Sequence, residues 1–261
     1  MLKAHIKNHT LSQCLLARFA DGGGSVSRTF IDTGKTIRSA PGLEGFRRKL
    51  WTSGAAKRLE DLWKAEAEDA IAPVFHKLDN GDSLTLNDKK VLVRFCTIHY
   101  VRSEEFIRVY EKRVREPKCA TVNLNMGLSF SDRYYLRLKL LSETKIPGLF
   151  FEERMQAVYE QCLAHLSRFG LEIGTATGEA TFILPDGGMF LHDGATGRAQ
   201  PEEGVSLLRA DTAMMPLGSK HIAAFTAKTH KVKHRSLNDR EVGRANAQLR
   251  RAAIKSYYSC L

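Results

Sequence analysis

The chain carries its clearest helical pattern in NDKKVLVRFCTIHYVRSEEFIRVYEKRV, residues 87–114, and this segment decides the architecture. Apolar residues recur there at intervals of three and four, which is the spacing of one face of an amphipathic helix. That face consists of Val91 or Leu92, then Phe95, Ile98, Phe106 and Val109. The pattern predicts a long helix packed on the core, which ends before Pro117.

Two polar side chains lie on the same apolar face. His99 and Arg102 follow Phe95 by four and seven residues. A guanidinium on a core-facing stripe is costly unless a carboxylate pairs with it or it faces a polar cavity. Most such residues only stabilise the fold, and two of them one turn apart weaken that interpretation without overturning it.

The partner carboxylate is expected from the preceding segment, which is helical from about residue 59 to 78. On a helical wheel whose apolar face includes Trp63 and Val74, Glu66 lies at the edge of that face and Glu68 points away. The wheel therefore favours Glu66, and Glu68 is kept as a second candidate.

The rest of the chain predicts an α+β fold. A helical middle, 55–170, includes further helices at about 130–142 and 150–168, and a β-rich part follows at 171–230. A last amphipathic helix is predicted at 237–257. We expect one domain, 1–261, with a central bundle of about four to five helices. A small, mainly antiparallel sheet would be built from an N-terminal hairpin and the C-terminal third.

Composition indicates an ordinary globular protein. The chain has 43% hydrophobic residues, no apolar run near the roughly 20 residues that span a bilayer, and no signal-peptide pattern. Its five cysteines are scattered and form no CxxC pair. We therefore expect neither disulfides nor a zinc knuckle, no membrane contact, and a location in a reducing cytoplasm.

The formal net charge of +11 points to polyanionic partners. The cations concentrate in the last third, where the candidate nucleic-acid-binding residues are Lys228, Lys231, Lys233, Arg235, Arg240 and Arg244. RNA or DNA is the expected partner, and a basic surface that only aids solubility is the alternative.

The opening segment, His9 to Ala20, resembles the start of the DUF4238 family, a bacterial family of unknown function. The family begins His-Tyr-Val-Pro-Gln-Phe-Tyr-Leu-Arg-Asn-Phe-Ala, and the identical positions here are His9, Gln13, Leu16, Phe19 and Ala20. Ser12 stands in place of the family's proline. The resemblance points to a site near His9 without implying a reaction.

Later segments extend this resemblance over nearly the whole chain. The family's Gln-x-x-Arg pattern matches His99-Tyr100-Val101-Arg102, with histidine in place of glutamine, and its Phe-Ile-Thr-Ser-Asp-Asn-Pro segment matches Phe182 to Gly187, which includes Asp186. A Pro-Leu-Ser-Pro segment and an aromatic-Ser ending match Pro216 to Lys220 and Tyr258-Ser259. Family spacing before Ala72-Pro73-Val74 favours Glu68 as the buried acid.

These residues suggest a catalytic cluster of His9, His99, Arg102, Asp186 and either Glu66 or Glu68. Imidazole and carboxylate groups perform acid–base chemistry, and an arginine stabilises a phosphate. We therefore predict a nuclease-like or toxin-like effector acting on nucleic acid. No cofactor is expected, although the histidines and acids could hold a divalent metal. The alternatives are a non-catalytic basic binding module, or a subunit of a defence or regulatory assembly with a protein partner.

Overall fold

The computed structural model describes residues 7–48, 61–103, 106, 149–199, 206–227 and 231–260, with the backbone alone for 7–9, 47, 48 and 149–155. The helices in these ranges are α1 (Gln13–Ala17), α2 (Ala72–Asn80), α3 (Leu86–Val101), α4 (Leu149–Ser167) and α5 (Asp239–Ala252). A single π-helical turn, Lys64–Glu68, precedes α2. The predicted helix at 130–142 lies outside the described residues.

The strands form a six-stranded, a four-stranded and a two-stranded sheet within the described residues. They are β1 (Lys7–His9), β2 (Val26–Phe30), β3 (Thr36–Ser39), β4 (Phe46–Arg48), β5 (Gly170–Ala176), β6 (Leu184–Pro185), β7 (Phe190–Asp193), β8 (Arg198–Ala199), β9 (Thr212–Pro216), β10 (His221–Thr226), β11 (Val232–Leu237) and β12 (Ser256–Ser259). The orders are β11-β5-β10-β9-β7-β8, β3-β2-β12-β6 and β1-β4. All pairs are antiparallel except β11 with β5. The predicted α+β class is confirmed.

Helix α3 forms where the sequence predicts it. Thr85 caps its N-terminus in a reciprocal capping box with Asp88, which satisfies backbone N–H groups that have no partner within the helix. Phe95 and Ile98 of the predicted apolar face are fully buried. The predicted unbroken helix to residue 114 is wrong, because α3 ends at Val101 with Arg102 as its C-cap and residues 102 and 103 form a turn and a bend. Most of the range beyond residue 103 lies outside the described residues.

The six-stranded sheet is covered on both faces because successive side chains of a strand point to opposite sides. On one side, Ile173 and Phe225 join the main core with residues of α3 and α4. On the other side, Ile222 packs in a second cluster with Val242 and Leu249 of α5. The sheet thus separates the helical core from the C-terminal helix.

The predicted C-terminal helix at 237–257 is wrong at its end. Helix α5 stops at Ala252, and residues 256–259 form strand β12 instead. Strand β12 pairs with β2 on one side and β6 on the other, so it lies inside the four-stranded sheet. Pairing with two neighbours satisfies its backbone groups, and this tertiary gain overrides the local helical pattern.

Candidate functional site

His99 is part of a buried hydrogen-bond network near the C-terminus of α3. The residue is 1% exposed, and its Nδ1 lies 2.7 Å from the Phe95 carbonyl oxygen. Its Nε2 lies 3.1 Å from the Ser12 amide nitrogen and 3.0 Å from Ser12 Oγ. A carbonyl can only accept and an amide N–H can only donate, so the proton is on Nδ1 and Nε2 is the acceptor.

This environment favours the neutral imidazole. Burial lowers the pKa of His99 to about 4, and the Arg102 guanidinium acts in the same direction, against the bond to the Phe95 carbonyl and the charge of Glu68. The Nε2 lone pair, which a general base would need, already accepts from Ser12. His99 therefore holds the N-terminal segment against α3.

Ser12 and His99 contact each other directly. Ser12 provides both an N–H and a hydroxyl, and both lie within hydrogen-bond distance of His99 Nε2. This contact joins α3 to the segment before α1.

Arg102 is 2% exposed and pairs with Glu68, whose Oε1 lies 2.5 Å from Arg102 Nη1. The Arg102 guanidinium also lies over the Trp63 ring, 5.3 Å from its centre. The pair settles which glutamate faces Arg102: it is Glu68, as family spacing predicts, and the helical wheel that favoured Glu66 is misleading.

The π-helical turn explains why the wheel misleads. The Asp69 amide bonds to the Lys64 carbonyl, five residues back, so the turn holds one residue more than an α-helical turn. That extra residue changes the direction of every side chain on one side of the turn. Glu68 is brought toward Arg102 as a result, while Glu66 stays half-exposed.

His9 lies in β1, where its backbone pairs with Phe46 of β4. Its side chain is outside what the structure describes. The next two residues, Thr10 and Leu11, both donate their amides to the Gly45 carbonyl. The family's opening segment is therefore tied to the turn at Gly45, and the predicted role of His9 stays a prediction.

Asp186 forms hydrogen bonds with the backbone of the segment that connects α5 to β12. Its Oδ1 accepts the amide of Ile254 at 2.7 Å, and its Oδ2 accepts those of Lys255 and Ser256 at 2.8 and 3.0 Å. Three backbone donors on one carboxylate fix the chain where the helix ends. Asp186 thus explains why β12 begins where it does.

A cavity of about 140 Å³ adjoins Asp186. Its lining brings together residues from the opening segment, β2, the Gly45 turn and β12, namely Thr10, Arg28, Leu43, Glu44, Gly45, Phe46, Asp186 and Tyr258. Neither His99 nor Arg102 is among these lining residues. Of the described side chains in the predicted catalytic set, Asp186 lines this cavity, and His99 and Arg102 lie in buried contacts outside it.

Arg28 and Glu44, the charged pair of this cavity, are not among the site residues predicted from the sequence. Arg28 Nη1 donates to Glu44 Oε2 at 3.1 Å, and Glu44 is 6% exposed. Both residues lie in the N-terminal hairpin region, where no periodicity marks them. Burial alternates along β2, where Ser27 and Thr29 are buried and Arg28 is half-exposed. A prediction of this strand from the sequence would place Arg28 on the face opposite to Ser27 and Thr29.

Most of the predicted nucleic-acid-binding residues lie on two consecutive elements. Lys233 and Arg235 are exposed on β11, with Lys231 just before it, and Arg240 and Arg244 are exposed on α5. Lys228 lies outside the described residues. Among the described strands, β11 is at the edge of its sheet and pairs with β5.

The described residues contain no group of three or more histidine, cysteine, aspartate or glutamate side chains placed to hold a metal ion. None of the described helices combines the length and apolar character that crossing a bilayer requires. Neither finding identifies a reaction.

The structure defines an α+β protein in which buried polar contacts join the N-terminal segment to a central helix. The family model for "Protein of unknown function (DUF4238)" matches residues 7–259, nearly the whole chain, and the protein belongs to this family. No curated protein and no solved structure gives a significant match.

Proposed function

We propose that this protein binds nucleic acid through a basic surface made of Lys231, Lys233, Arg235, Arg240 and Arg244. The observation that carries the proposal is the position of these cations on β11 and α5, two elements joined directly by the α5 N-cap residue Asn238. Residues 231–255 contain eight lysines and arginines and two acidic residues, so much of the chain's positive excess is here.

The exposed side of α5 has the geometry of a phosphate-binding stripe. Arg240, Arg244 and Arg251 recur at intervals of four and seven and therefore lie on one face of the helix, over about 16 Å of its length. Val242 and Leu249 on the opposite face are fully buried against the sheet. The arginines are thus presented outward by a helix that is fixed in place.

The acidic residues near this surface are already engaged. Arg235 pairs with Glu241, which also receives the Asn238 amide in the α5 capping box. Asp239 accepts the amide of Ala180 at 2.9 Å. These contacts stabilise the junction of β11 and α5, and they leave the cations of the basic surface in excess over its acids.

The burial of His99 and Arg102 favours binding over cleavage. A phosphodiester backbone is a large substrate, and a side chain that is 1–2% exposed gives it no access. Nucleic-acid cleavage, and a role within a defence or regulatory assembly, stay predictions. The binding experiment includes an arm that detects cleavage.

The test measures the affinity of the full chain for labelled RNA and DNA oligonucleotides over a range of salt concentrations, for wild type and for Arg240→Gln/Arg244→Gln. We expect the double variant to bind more weakly and to lose about 0.7–0.9 from the slope of log affinity against log salt for each phosphate contact removed. The matched control, Lys35→Gln/Lys90→Gln, removes the same charge from exposed positions outside the basic surface and should change the slope little.

Equal losses of affinity in both double variants would show that binding is spread over the whole surface rather than located at the basic surface. The absence of salt-sensitive binding by wild type would refute the proposal. Incubation of wild type and His99→Gln with RNA and DNA, with and without EDTA, tests cleavage. Cleavage by wild type that a folded His99→Gln loses would support the catalytic hypothesis instead.

A further inference from the structure

The Arg28 cavity, defined by its eight lining residues, is polar, chemically distinct from the basic surface, and open to ligand. Leu43 at its margin is 60% exposed, and Arg28 and Asp186 are each half-exposed. With a volume of about 140 Å³, it is smaller than the roughly 300–1,000 Å³ of pockets that take drug-sized molecules. It has room for one heterocyclic group rather than for a whole cofactor.

Arg28 is held in a fixed position with hydrogen-bonding capacity remaining. Its Nε donates to Ser256 Oγ at 2.9 Å and its Nη1 to Glu44 Oε2 at 3.1 Å. Its guanidinium lies over the Phe30 ring at 4.7 Å and near the Tyr258 ring at 5.7 Å. Among the described residues, none accepts a hydrogen bond from Nη2. A guanidinium locked in this way presents its remaining donors without losing further side-chain entropy.

Two carboxylates face the same cavity. Glu44 accepts from Arg28 and, at 2.7 Å, from the Ser39 hydroxyl, and Asp186 accepts three backbone amides. Because a carboxylate offers about four lone-pair directions, each can accept further donors. The cavity therefore combines one cationic donor with two anionic acceptors.

That combination selects among the nucleobases. A ligand must present an acceptor edge to Arg28 and at least two N–H donors to the carboxylates. Guanine does so: O6 and N7 accept from arginine, and the neighbouring N1–H and N2–H₂ groups donate. Adenine, cytosine and uracil have fewer N–H-bearing nitrogens on the corresponding edge. The exposed Leu43 at the margin adds apolar surface for a flat ring.

The cavity is also connected to the basic surface along the chain. Asp186, which lines the cavity, binds the residues that follow α5. A polynucleotide that follows α5 toward its C-terminus would reach the segment that Asp186 holds. Single-stranded nucleic acid can place an unstacked base in such a pocket.

We propose that the Arg28 cavity binds one guanine base of a single-stranded nucleic acid held by the basic surface. The inference rests on the proposed function for the strand, and on Arg28, Glu44 and Asp186 for the choice of base.

The experiment compares uridine oligonucleotides that carry one central guanine, adenine or cytosine, and it adds a separate titration with guanosine and with adenosine. We expect the guanine oligonucleotide to bind at least about fivefold tighter than the others. Guanosine, but not adenosine, should bind with a saturable titration curve and shift the amide resonance of Gly45.

Glu44→Gln, which loses one carboxylate acceptor, should abolish the preference for guanine over the other bases, whereas Glu66→Gln, outside the cavity, should keep that preference. Arg28→Lys, which keeps the charge without the planar fork, gives a second test if Glu44→Gln fails to fold.

The possible failures are distinguishable. Salt-sensitive binding of every oligonucleotide with equal affinity, and no response to guanosine, would overturn the cavity inference and leave the basic surface intact. Guanosine binding that depends on Glu44, without binding of any oligonucleotide, would support the cavity and refute the basic surface. No binding in either experiment would overturn both.

Discussion

The contact between Arg102 and Glu68 shows how one buried charge constrains the structure around it. Taking a guanidinium out of water is costly, and the Glu68 carboxylate at 2.5 Å compensates for part of that cost. The pair joins α3 to the π-helical turn, two elements that are otherwise separated by α2 in the chain. Its removal therefore affects the packing of the helical part as well as one hydrogen bond.

Glu68→Gln is expected to lower the free energy of unfolding by about 1.5–3 kcal/mol, because it removes a charged hydrogen bond of the buried Arg102 guanidinium. Glu66→Gln, the matched change at the half-exposed glutamate, should cost no more than about 0.5 kcal/mol. Urea unfolding of both variants measures the difference. Equal effects would mean that Glu68 does not compensate the charge of Arg102.

At the scale of elements, the tight turn at Gly45 positions the residues around the Arg28 cavity. The turn at Gly45 receives the amides of Thr10 and Leu11 on its carbonyl and lines the Arg28 cavity. Its φ of +64° is in the left-handed region, and a Cβ there would lie 2.6 Å from Leu16 Cδ1 and 3.1 Å from the Leu11 carbonyl oxygen. Glycine is required at this position both by the backbone conformation and by the space.

Gly45→Ala is therefore expected to destabilise the protein by roughly 3 kcal/mol, from left-handed strain of about 1–2 kcal/mol and overpacking of about 1–3 kcal/mol. Gly81→Ala is the matched control, because Gly81 has a φ of +73° and open space around its Cα. That variant should lose the strain component alone. Thermal or urea unfolding compares the two, and equal losses would contradict the close packing of Gly45 against Leu11 and Leu16.

Over the whole molecule, residues from both ends of the described chain meet in one sheet. Strand β12 lies between β2 and β6, and the registers pair Tyr258 with Arg28 on one side and Leu184 on the other. The cavity and the four-stranded sheet therefore form only when segments more than 200 residues apart in sequence come together. Such long-range pairing closes large loops and slows folding relative to local contacts.

Two buried histidines make the stability of the whole molecule sensitive to mild acid. Burial lowers the pKa of His99 and of His221 to about 4, against 6.5 for the unfolded chain. Between these values the unfolded chain binds protons that the folded protein excludes, so stability is fully present above about pH 6.5 and falls as the pH drops toward 4.

Each of these histidines should contribute a loss on the order of 3 kcal/mol across that window. Urea unfolding at about pH 7 and about pH 5 measures about 2 kcal/mol of this loss for each histidine, and His99→Gln or His221→Gln should reduce it. His76→Gln at an exposed position is the control. An unchanged pH dependence in both buried variants would contradict the prediction.

Periodicity predicted what is local in this fold. The apolar spacing of α3 and α4 and the β-rich C-terminal third were predictable because each follows from the 3.6- or two-residue repeat of a regular element. Strand β11 was not predictable, since its exposed residues Lys233 to Ser236 show no apolar alternation, and only pairing with β5 makes it a strand. The π-helical turn was not predictable either, because a helical wheel assumes an unbroken α-helix.

The sequence by itself determined the α+β class, the family, the buried positions of His99 and Arg102 and the concentration of positive charge near the C-terminus. Each of these depends on residue type and on spacing along one segment. Tertiary structure decided that Glu68 pairs with Arg102, that Ser12 donates its amide to His99, and that Arg28, Glu44 and Asp186 share a cavity. Such contacts join segments that are distant in sequence, and their geometry follows from how the elements pack, which no single segment specifies.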